Sequence, residues 1–288
     1  MRRQLSCQTV GLMSPIIWVL ESIVFPESHP PLREAIDRAG YRVVDWSDDW
    51  SNSPAWLSSG PTIFHGSLGN AALVHQKFNW TPGSFCDTDK FCCSSWYAHK
   101  QQWLIHEKYR FTTVAQLVEN ATDIAESVGA ADALFVRPDS PLKPFSGRVV
   151  NVAGLTPTDL DYGFYYDDLQ LPVVVAPVRN VGHEWRFVVV NGSVIAGSGY
   201  DAATRTAVSL KLDDTVADFA ASIAAETFAP CSVYVLDVCD CDGELRLMEF
   251  NPFGGADLYA CKPDVIVDSL SRFAEASFER KRGLQTKL

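Results

Sequence analysis

The sequence predicts an α/β domain over about residues 1–110 and a strand-rich α+β half over residues 111–288. Two observations predict this order. In the first part, short apolar runs alternate with a helical pattern, which is typical of a parallel sheet. From Ala131 onward most apolar runs have strand length and are joined by short turns. A chain of 288 residues can form one large domain or two ordinary ones.

The first part opens like a β-α-β unit. Residues 16–23 are apolar and β-branched, as in a buried strand, and residues 30–39 show helical spacing before Gly40, which can cap the helix. Further strands are predicted at 41–46 and 61–65. Residues 79–96 are rich in Gly, Pro, Asp and Ser and are predicted to be mostly loop, followed by an aromatic-rich helical segment to about residue 109.

The second part begins with a helix that Thr112 or Thr113 can cap and that runs to about residue 128. A helix is also predicted at about 215–227, and a terminal helix at 264–278. The strands are predicted at 133–137, 149–152, 171–178, 183–190, 194–200, 233–238 and 244–251.

Composition and charge narrow the class of protein. The net charge is −11, and no basic stripe offsets it, so we expect no nucleic-acid partner. No run reaches the roughly 18 uninterrupted apolar residues of a membrane span, so we expect no membrane partner. Arg2 and Arg3 before a mildly apolar run could begin a signal peptide, but Ser14 and Pro15 break that run early. The eight cysteines contain no CxxC pair, so we expect reduced thiols in a cytoplasmic protein.

Several common motifs are absent from the sequence. It contains no GxxxxGK[ST], no GxGxxG after the first strand, no HExxH and no GxSxG. The six histidines are scattered. A lone histidine, such as His75 or His106, is more often a surface or core residue than a ligand.

The most informative segment is S-V-Y-V-L-D-V-C-D-C-D-G-E-L-R-L-M-E-F-N-P-F-G-G. Asp237 lies on an apolar face of one predicted strand, and Glu249 and Asn251 share a face of the next with Leu247. Buried acidic side chains are costly unless they are paired or bind metal. Two carboxylates and an amide oxygen suit Mg²⁺. A surface hairpin whose acidic residues face water is the alternative.

The loop of this hairpin decides whether both carboxylates can bind the same ions. A two-residue turn, 242–243, would place Asp237 and Glu249 on opposite faces, whereas a three-residue loop, 241–243, would place them on one face. We therefore predict an odd-length loop or a bulge, with Gly243 at positive φ.

Two further segments carry cations. In H-E-W-R-F-V-V-V-N-G-S-V-I-A-G-S-G-Y, Asn191-Gly192 predicts a hairpin, and Glu184 and Arg186 share a face. These two residues could form a structural ion pair, or Arg186 could bind phosphate. In F-V-R-P-D-S-P-L-K-P-F-S-G-R-V-V, Arg137 ends a strand and Lys143 lies in the following loop. Two cations near one turn can bind phosphate or be exposed, and by themselves they favour exposure.

Together, the order and spacing of the three segments resemble the ATP-grasp superfamily. More closely, they resemble the clade in which an arginine replaces the usual first nucleotide-contacting lysine. That clade has an F-[IV]-R-P-x-S-x-x-K-x-F-x-G run, an E-[WY]-R-F-V-V hairpin ending in S-x-Y, a V-L-D strand, and an E-x-N-P strand with a trailing G-x-Y-x-C. One departure is Asp257, where the trailing motif would have its glycine. The resemblance covers about residues 111–270, with matches at Arg137, Pro138, Lys143, Phe145, Gly147, Glu184, Arg186, Ser198, Tyr200, Asp237, Glu249, Asn251, Tyr259 and Cys261.

The resemblance implies a two-subdomain ATP-grasp module over residues 111–288, with a nucleotide held between the subdomains. Arg186, Lys143 and Glu184 would be the catalytic residues. The implied ligands are adenine on Val174, Val175, Ala176 and Val178, phosphates on Arg137, Lys143 and Arg186, and one or two Mg²⁺ on Asp237, Glu249 and Asn251.

The implied activity is that of an ATP-dependent carboxylate–amine ligase, forming ADP, on a peptide, amino acid or small metabolite. A carboxylate attacks the γ-phosphate of ATP, and an amine displaces phosphate from the resulting acylphosphate. The protein mainly positions groups and neutralises charge. The alternatives are a carboxylate kinase-like or ester-forming enzyme and a nucleotide-binding assembly factor that acts on a protein partner.

Overall fold

The computed structural model describes residues 15–50, 52–160, 168–201, 203–204, 206–208 and 212–285. Within these ranges the chain forms eight α-helices and thirteen strands in three sheets, which confirms the predicted mixture of α/β and α+β structure. The signal-peptide interpretation falls on residues outside these ranges. No helix among the described residues is long and apolar enough to cross a membrane.

The first sheet is parallel, as predicted, and has the strand order β2-β1-β3-β4. Helix α2 was not predicted, and it begins at Ser67, whose hydroxyl accepts the backbone N–H of Asn70 at 3.3 Å. The elements are β1 (Ile17–Leu20), α1 (His29–Arg38), β2 (Arg42–Asp45), β3 (Pro61–His65), α2 (Leu68–Lys77) and β4 (Thr81–Gly83).

The segment after the first sheet contains two short helices, α3 (Thr88–Phe91) and α4 (Cys93–Trp96), and a 3-10 turn at Tyr97–His99. The predicted helix towards residue 109 is wrong. Beyond His99 the chain leaves helical geometry, and Leu104 pairs in parallel with Leu247. The aromatic side chains of this segment pack into the core, with Trp96 and Tyr97 each 1% exposed. Burial in the core explains the aromatic pattern.

The second sheet is antiparallel, with the order β5-β8-β6-β7. Thr113 caps helix α5 as predicted, because its hydroxyl accepts the backbone N–H of Gln116 at 3.3 Å. The single predicted helix is interrupted at Asn120, and strand β5 was not predicted. The elements are β5 (Arg110–Thr113), α5 (Val114–Glu119), α6 (Ala121–Val128), β6 (Ala133–Pro138), β7 (Arg148–Asn151) and β8 (Pro172–Pro177).

The third sheet is also antiparallel, with the order β11-β10-β9-β12-β13. The predicted hairpin at Asn191 and Gly192 is present, and both residues have positive φ, 48° and 76°. The elements are β9 (Val181–Val190), β10 (Ser193–Asp201), β11 (Thr206–Val208), α7 (Asp214–Ala224), β12 (Val233–Cys241), β13 (Glu244–Pro252) and α8 (Pro263–Gln285).

One hydrophobic core joins the first and third sheets. It contains Trp18 and Leu32 from the first part of the chain, Val188 and Val235 from the third sheet, and Leu270 from α8. The terminal helix therefore packs on the parallel sheet at the other end of the sequence. The division of the chain near residue 110 stays a prediction. The seven cysteines within the described residues are free thiols.

Candidate functional site

Four adjacent strands of the third sheet place polar side chains in one row. Arg186 on β9 lies opposite Ser198 on β10 and opposite Asp237 on β12. Asp237 in turn lies opposite Glu249 on β13. Directly opposed residues share a face of a sheet, so the row brings together residues that are far apart in sequence.

The register of this row comes from a two-residue turn and a bulge. Cys241 pairs with Glu244, so the turn consists of Asp242 and Gly243, with φ of 55° and 85°. Met248 is the extra residue of the bulge, because pairing steps from Leu247 to Glu249. The predicted bulge and the positive φ of Gly243 are confirmed, whereas the three-residue loop is wrong.

The bulge also corrects the predicted face of β13. Leu247 lies opposite Val238, whereas Glu249 lies opposite Asp237, and neighbouring residues of β12 point to opposite sides. Leu247 packs in the core on the far side of the sheet. Leu247 and Glu249 therefore do not share a face, and the prediction that they do is wrong. The extra residue turns Glu249 towards Asp237.

Arg186 and Asp237 form a buried two-point ion pair. Nε of Arg186 donates to Oδ1 of Asp237 at 2.8 Å, and Nη2 donates to Oδ2 at 2.7 Å. Burial raises the pKa of Asp237, and the guanidinium of Arg186 opposes that shift. Nη1 of Arg186 donates to the backbone oxygen of Asp257 at 2.8 Å. The partner of Arg186 is thus Asp237 rather than Glu184.

Glu249 joins the predicted phosphate-binding cations to the predicted metal ligands. Its two oxygens accept hydrogen bonds from Arg137 and Lys143, each at 2.8 Å. Asn251 donates to Asp237 at 3.0 Å and to Glu249 at 2.9 Å. Burial by itself raises the pKa of Glu249, but Lys143 and Arg137 outweigh it, so this pKa lies below its ordinary value. The structure brings all six of these predicted residues into one network: Arg137, Lys143, Arg186, Asp237, Glu249 and Asn251.

A cavity of about 710 Å³ lies over this network. Apolar side chains from both the second and third sheets line one end, including Phe135, Val149 and Met248. The cavity continues to Phe25, in the loop after β1, and to Leu68, the first residue of α2, so it reaches the carboxyl ends of strands in the first sheet. Its volume is in the ordinary range for a ligand site, roughly 300–1,000 Å³.

The family model described as ATP-grasp domain, R2K clade family 3, matches residues 72–270. The chain belongs to this ATP-grasp family. The match begins well before residue 111, so the family pattern includes the end of α2 and the segment that follows it. Membership implies nucleotide binding and ligase chemistry. No curated protein matches the chain in sequence.

Several solved structures share the fold of this chain. They include the D-cycloserine synthetase DcsG, with a TM-score of 0.61, 13% identity, and coverage of 90% of this chain and 99% of that one. N5-carboxyaminoimidazole synthetase from Staphylococcus aureus, complexed with ADP, has a TM-score of 0.58 at 11% identity and covers 90% and 77%. A RimK domain ATP-grasp protein from Sphaerobacter thermophilus has a TM-score of 0.57 at 13% identity and covers 88% and 99%. At these identities the likeness shows the fold alone.

The ATP-grasp cavity does not include most of the residues predicted to contact adenine. Val174, Val175 and Ala176 are at most 1% exposed, and they lie in β8, which pairs with β5 on one side and β6 on the other. Val174 and Val175 pair with strands on both sides and Ala176 pairs with Phe135, and the contact of these three residues with adenine stays a prediction. Of the predicted hinge residues, Val178 does line the cavity.

Glu184 lies beside the network of the ATP-grasp site but is not part of it. Its carboxylate accepts a hydrogen bond from the hydroxyl of Tyr200 at 2.5 Å. Burial raises the pKa of Glu184, and the bond from Tyr200 opposes that shift. The ring of Tyr200 stacks on Tyr259 at 4.8 Å, and the guanidinium of Arg186 lies 5.3 Å and 5.0 Å from the two ring centres. Glu184 lines the cavity next to this aromatic and cationic stack.

The side chains present fit a divalent cation of the Mg²⁺ type. Within the described part of the chain, no three His, Cys, Asp or Glu side chains form a group that could hold a metal. The predicted set instead combines two carboxylates, Asp237 and Glu249, with Asn251, whose Nδ2 donates to both and whose Oδ1 accepts from Lys143 at 3.2 Å. The side-chain oxygens of these three residues are the kind of ligand that suits Mg²⁺.

Sequence reasoning missed several residues that line the cavity, among them His106 and Arg179. Neither belongs to a recognisable spacing pattern. Met248 was in the quoted segment, but only the bulge shows why it faces the cavity.

Proposed function

We propose that the chain is an ATP-dependent carboxylate–amine ligase that forms ADP through an acylphosphate. The observation that carries this proposal is the shared network at Glu249. There, two cations suited to phosphate and an oxygen set suited to Mg²⁺ meet directly under one cavity. Phosphoryl transfer needs positioning and charge neutralisation more than covalent help from the protein, and this site offers both.

In this proposal Asp237, Glu249 and Asn251 hold Mg²⁺, which neutralises phosphate charge when bound. Arg137 and Lys143 bind phosphate oxygens of ATP through charge-assisted hydrogen bonds. Arg186 is held by Asp237 and by the backbone of Asp257, so its guanidinium presents a fixed positive charge beside the cavity.

The proposed reaction has two steps. An oxygen of the substrate carboxylate forms a bond to the γ-phosphorus of ATP, the bond to the bridging oxygen breaks, and ADP leaves. The amine nitrogen then bonds to the acyl carbon, inorganic phosphate leaves, and the amine loses a proton. Both organic substrates would bind at the end of the cavity near Phe25 and Leu68, because in this proposal the nucleotide takes the other end.

An ADP-release assay with a panel of amino acids, peptides and small carboxylic acids, each with and without amines, tests the proposal. Hydroxylamine should trap the acylphosphate as a hydroxamate. Arg137→Ala and Lys143→Ala should each lower kcat by about 10²-fold or more, since a lost phosphate contact has that order of effect. Arg272→Ala is the matched control, because Arg272 is exposed and pairs with Asp268 within one helix.

Tight MgATP binding without turnover on any member of the panel, together with a stable complex with a protein partner, would instead support the assembly factor. Normal rates in both cation variants at saturating ATP would remove the phosphate-binding roles.

A further inference from the structure

His106 reaches the cavity from a segment that is anchored to the third sheet. The backbone N–H of Ile105 donates to the oxygen of Leu247 at 3.0 Å, and the N–H of Leu247 donates to the oxygen of Trp103 at 2.6 Å. These bonds fix residues 103–105 beside β13, immediately before the bulge at Met248. The position of His106 is therefore set by backbone pairing rather than by a free loop.

The imidazole of His106 is buried in the wall of the cavity. It is 5% exposed, and its Nδ1 is buried with no hydrogen-bond partner among the described residues. The ring stacks on Phe135, with ring centres 5.2 Å apart and planes at 26°. A buried polar atom without a partner is rare, because leaving it unsatisfied costs free energy.

The surroundings keep this imidazole neutral. Burial, together with the positive charges of Arg137 and Arg179, lowers the pKa of His106 to about 4. A neutral imidazole offers one N–H donor and one acceptor nitrogen. Arg179 is already engaged, with Nε donating to Sγ of Cys241 at 3.4 Å and Nη2 lying 3.4 Å from Asp242.

The space around His106 suits a flat aromatic ring. This end of the cavity is lined by Phe135 and Val149 of the second sheet, by Val178 just after that sheet's strand β8, and by Met248 of the third sheet. The phosphate-binding cation Arg137 lies close enough to His106 to influence its charge. A nucleotide whose phosphates contact Arg137 would thus place its base in the apolar end, beside His106.

We propose that His106 binds the adenine base of the nucleotide through one ring nitrogen and favours adenine over guanine. This inference rests on the proposed nucleotide-binding function of the site. A neutral donor–acceptor side chain complements the adenine edge, which also carries a donor and acceptors. Guanine presents a different pattern on that edge, so a fixed imidazole would discriminate between the two bases.

Calorimetry with the wild type, three variants and three probes tests the proposal. His106→Phe keeps the stack on Phe135 but removes the ring nitrogens, and His75→Phe changes an exposed histidine of α2 as the matched control. His106→Phe should weaken MgADP binding about tenfold, the value of one net hydrogen bond, and should reduce the preference for MgADP over MgGDP. Binding of magnesium tripolyphosphate, which has no base, should be unchanged. Arg137→Ala should weaken all three probes.

MgADP binding equal to wild type in a folded His106→Phe protein would overturn the role of His106 and leave the ligase proposal intact. Wild-type protein that binds neither MgADP nor magnesium tripolyphosphate would overturn both.

A measurement on the wild-type chain covers the case in which the variant does not fold. The ¹⁵N resonances of the His106 ring should shift when MgADP is added and stay unchanged with magnesium tripolyphosphate. Resonances that do not respond to MgADP would overturn the proposal.

Discussion

At the scale of single residues, Glu249 has two roles that compete with each other. It neutralises Arg137 and Lys143 in the structure, and it is also a proposed ligand of Mg²⁺. Phosphate would compete with Glu249 for the two cations, and Mg²⁺ would compete with the cations for Glu249. ATP binding therefore releases Glu249 for Mg²⁺, and Mg²⁺ binding releases Arg137 and Lys143 for phosphate. The binding of ATP and of Mg²⁺ should thus be coupled.

Glu249→Gln should uncouple the two ligands. The substitution keeps the shape of the side chain but removes the charge, so metal-free ATP should bind as tightly as in wild type or up to about tenfold more tightly. Mg²⁺ should then add little, because one carboxylate ligand is missing. Calorimetry with ATP in EDTA and in Mg²⁺ measures both effects. Glu244→Gln, on the exposed start of the same strand, is the control, and an unchanged dependence on Mg²⁺ would contradict the coupling.

At the scale of elements, the β12–β13 hairpin positions the carboxylates. Its turn needs positive φ at both Asp242 and Gly243, and aspartate and glycine are the residue types that tolerate this best. The turn fixes the register up to Leu247, and the bulge at Met248 changes it before Glu249. The turn therefore contributes to stability, whereas the bulge contributes to the site.

Gly243→Ala should lower the free energy of unfolding by about 1 kcal/mol, because alanine is strained at φ 85° even though open space surrounds the residue. Gly69→Ala is the matched control. Gly69 also has open space around it but lies within α2, where alanine should be neutral or stabilising by up to ~1 kcal/mol. Urea denaturation of both variants measures the difference. Equal effects would show that φ does not limit the turn.

The same hairpin shows how far sequence reasoning reaches. Alternation and the Asp-Gly pair locate both strands, and the need for one shared face predicts that a bulge or an odd loop must exist. They do not locate the bulge, because the side chain of Met248 is suited to either face of the strand. His106 is harder still, since its role depends on a pairing between residues 103–105 and β13 that no local pattern encodes. Contacts of this kind, between residues far apart in sequence, determine where the other residues of the site lie.

A second element-scale feature is the anchor of the segment before the second sheet. Lys100 is fully buried, and its Nζ donates to Oε2 of Glu226 at 2.8 Å and to the backbone oxygen of Ile223 at 3.0 Å. Trp103 and Gln102 donate to the other oxygen of Glu226, each at 2.7 Å. The carboxylate of Glu226 thus binds three side chains of the segment that leads to His106.

Glu226→Gln should destabilise the fold by about 1–2 kcal/mol near neutral pH. Burial by itself raises the pKa of Glu226, but the bonds from Lys100 and Trp103 outweigh it, so the pKa is lowered from 4.5. Because the folded pKa is the lower one, the stabilisation is present above pH 4.5 and is lost as the pH falls through the folded value. Denaturation curves of wild type and variant should therefore converge in acid. A gap that persists there, or one equal to that of the exposed control Glu279→Gln, would contradict the anchor.

At the scale of the whole molecule, the two ends of the chain form a common core. Trp18 of β1 donates a hydrogen bond to Ser271 of α8 at 3.2 Å, and both residues are fully buried. Loops of the first sheet also reach the site, since Ser28 donates to the carboxylate of Asp257 at 2.7 Å. The first sheet is therefore part of the support for the nucleotide-binding half.

A protein consisting of residues 111–288 should fail to fold cooperatively. It would lack the partners of α8 in the shared core and the segment that pairs with β13, and it would expose a large apolar face. The full chain should unfold in one calorimetric transition that includes both parts. Two separated transitions, or a soluble and cooperative fragment, would establish independent domains and support a boundary near residue 110.

The pairing of residues 103–105 with β13 has a consequence for association between molecules. β13 is the last strand of its sheet, and an open edge strand presents backbone donors and acceptors on which another chain can add a strand. At Leu247 both backbone groups are already used, by Ile105 and Trp103. The opposite edge is β11, which is only three residues long. Residues 103–105, which precede His106, thus also cover the middle of the β13 edge. Without them, that edge could pair with a strand of another molecule and promote aggregation.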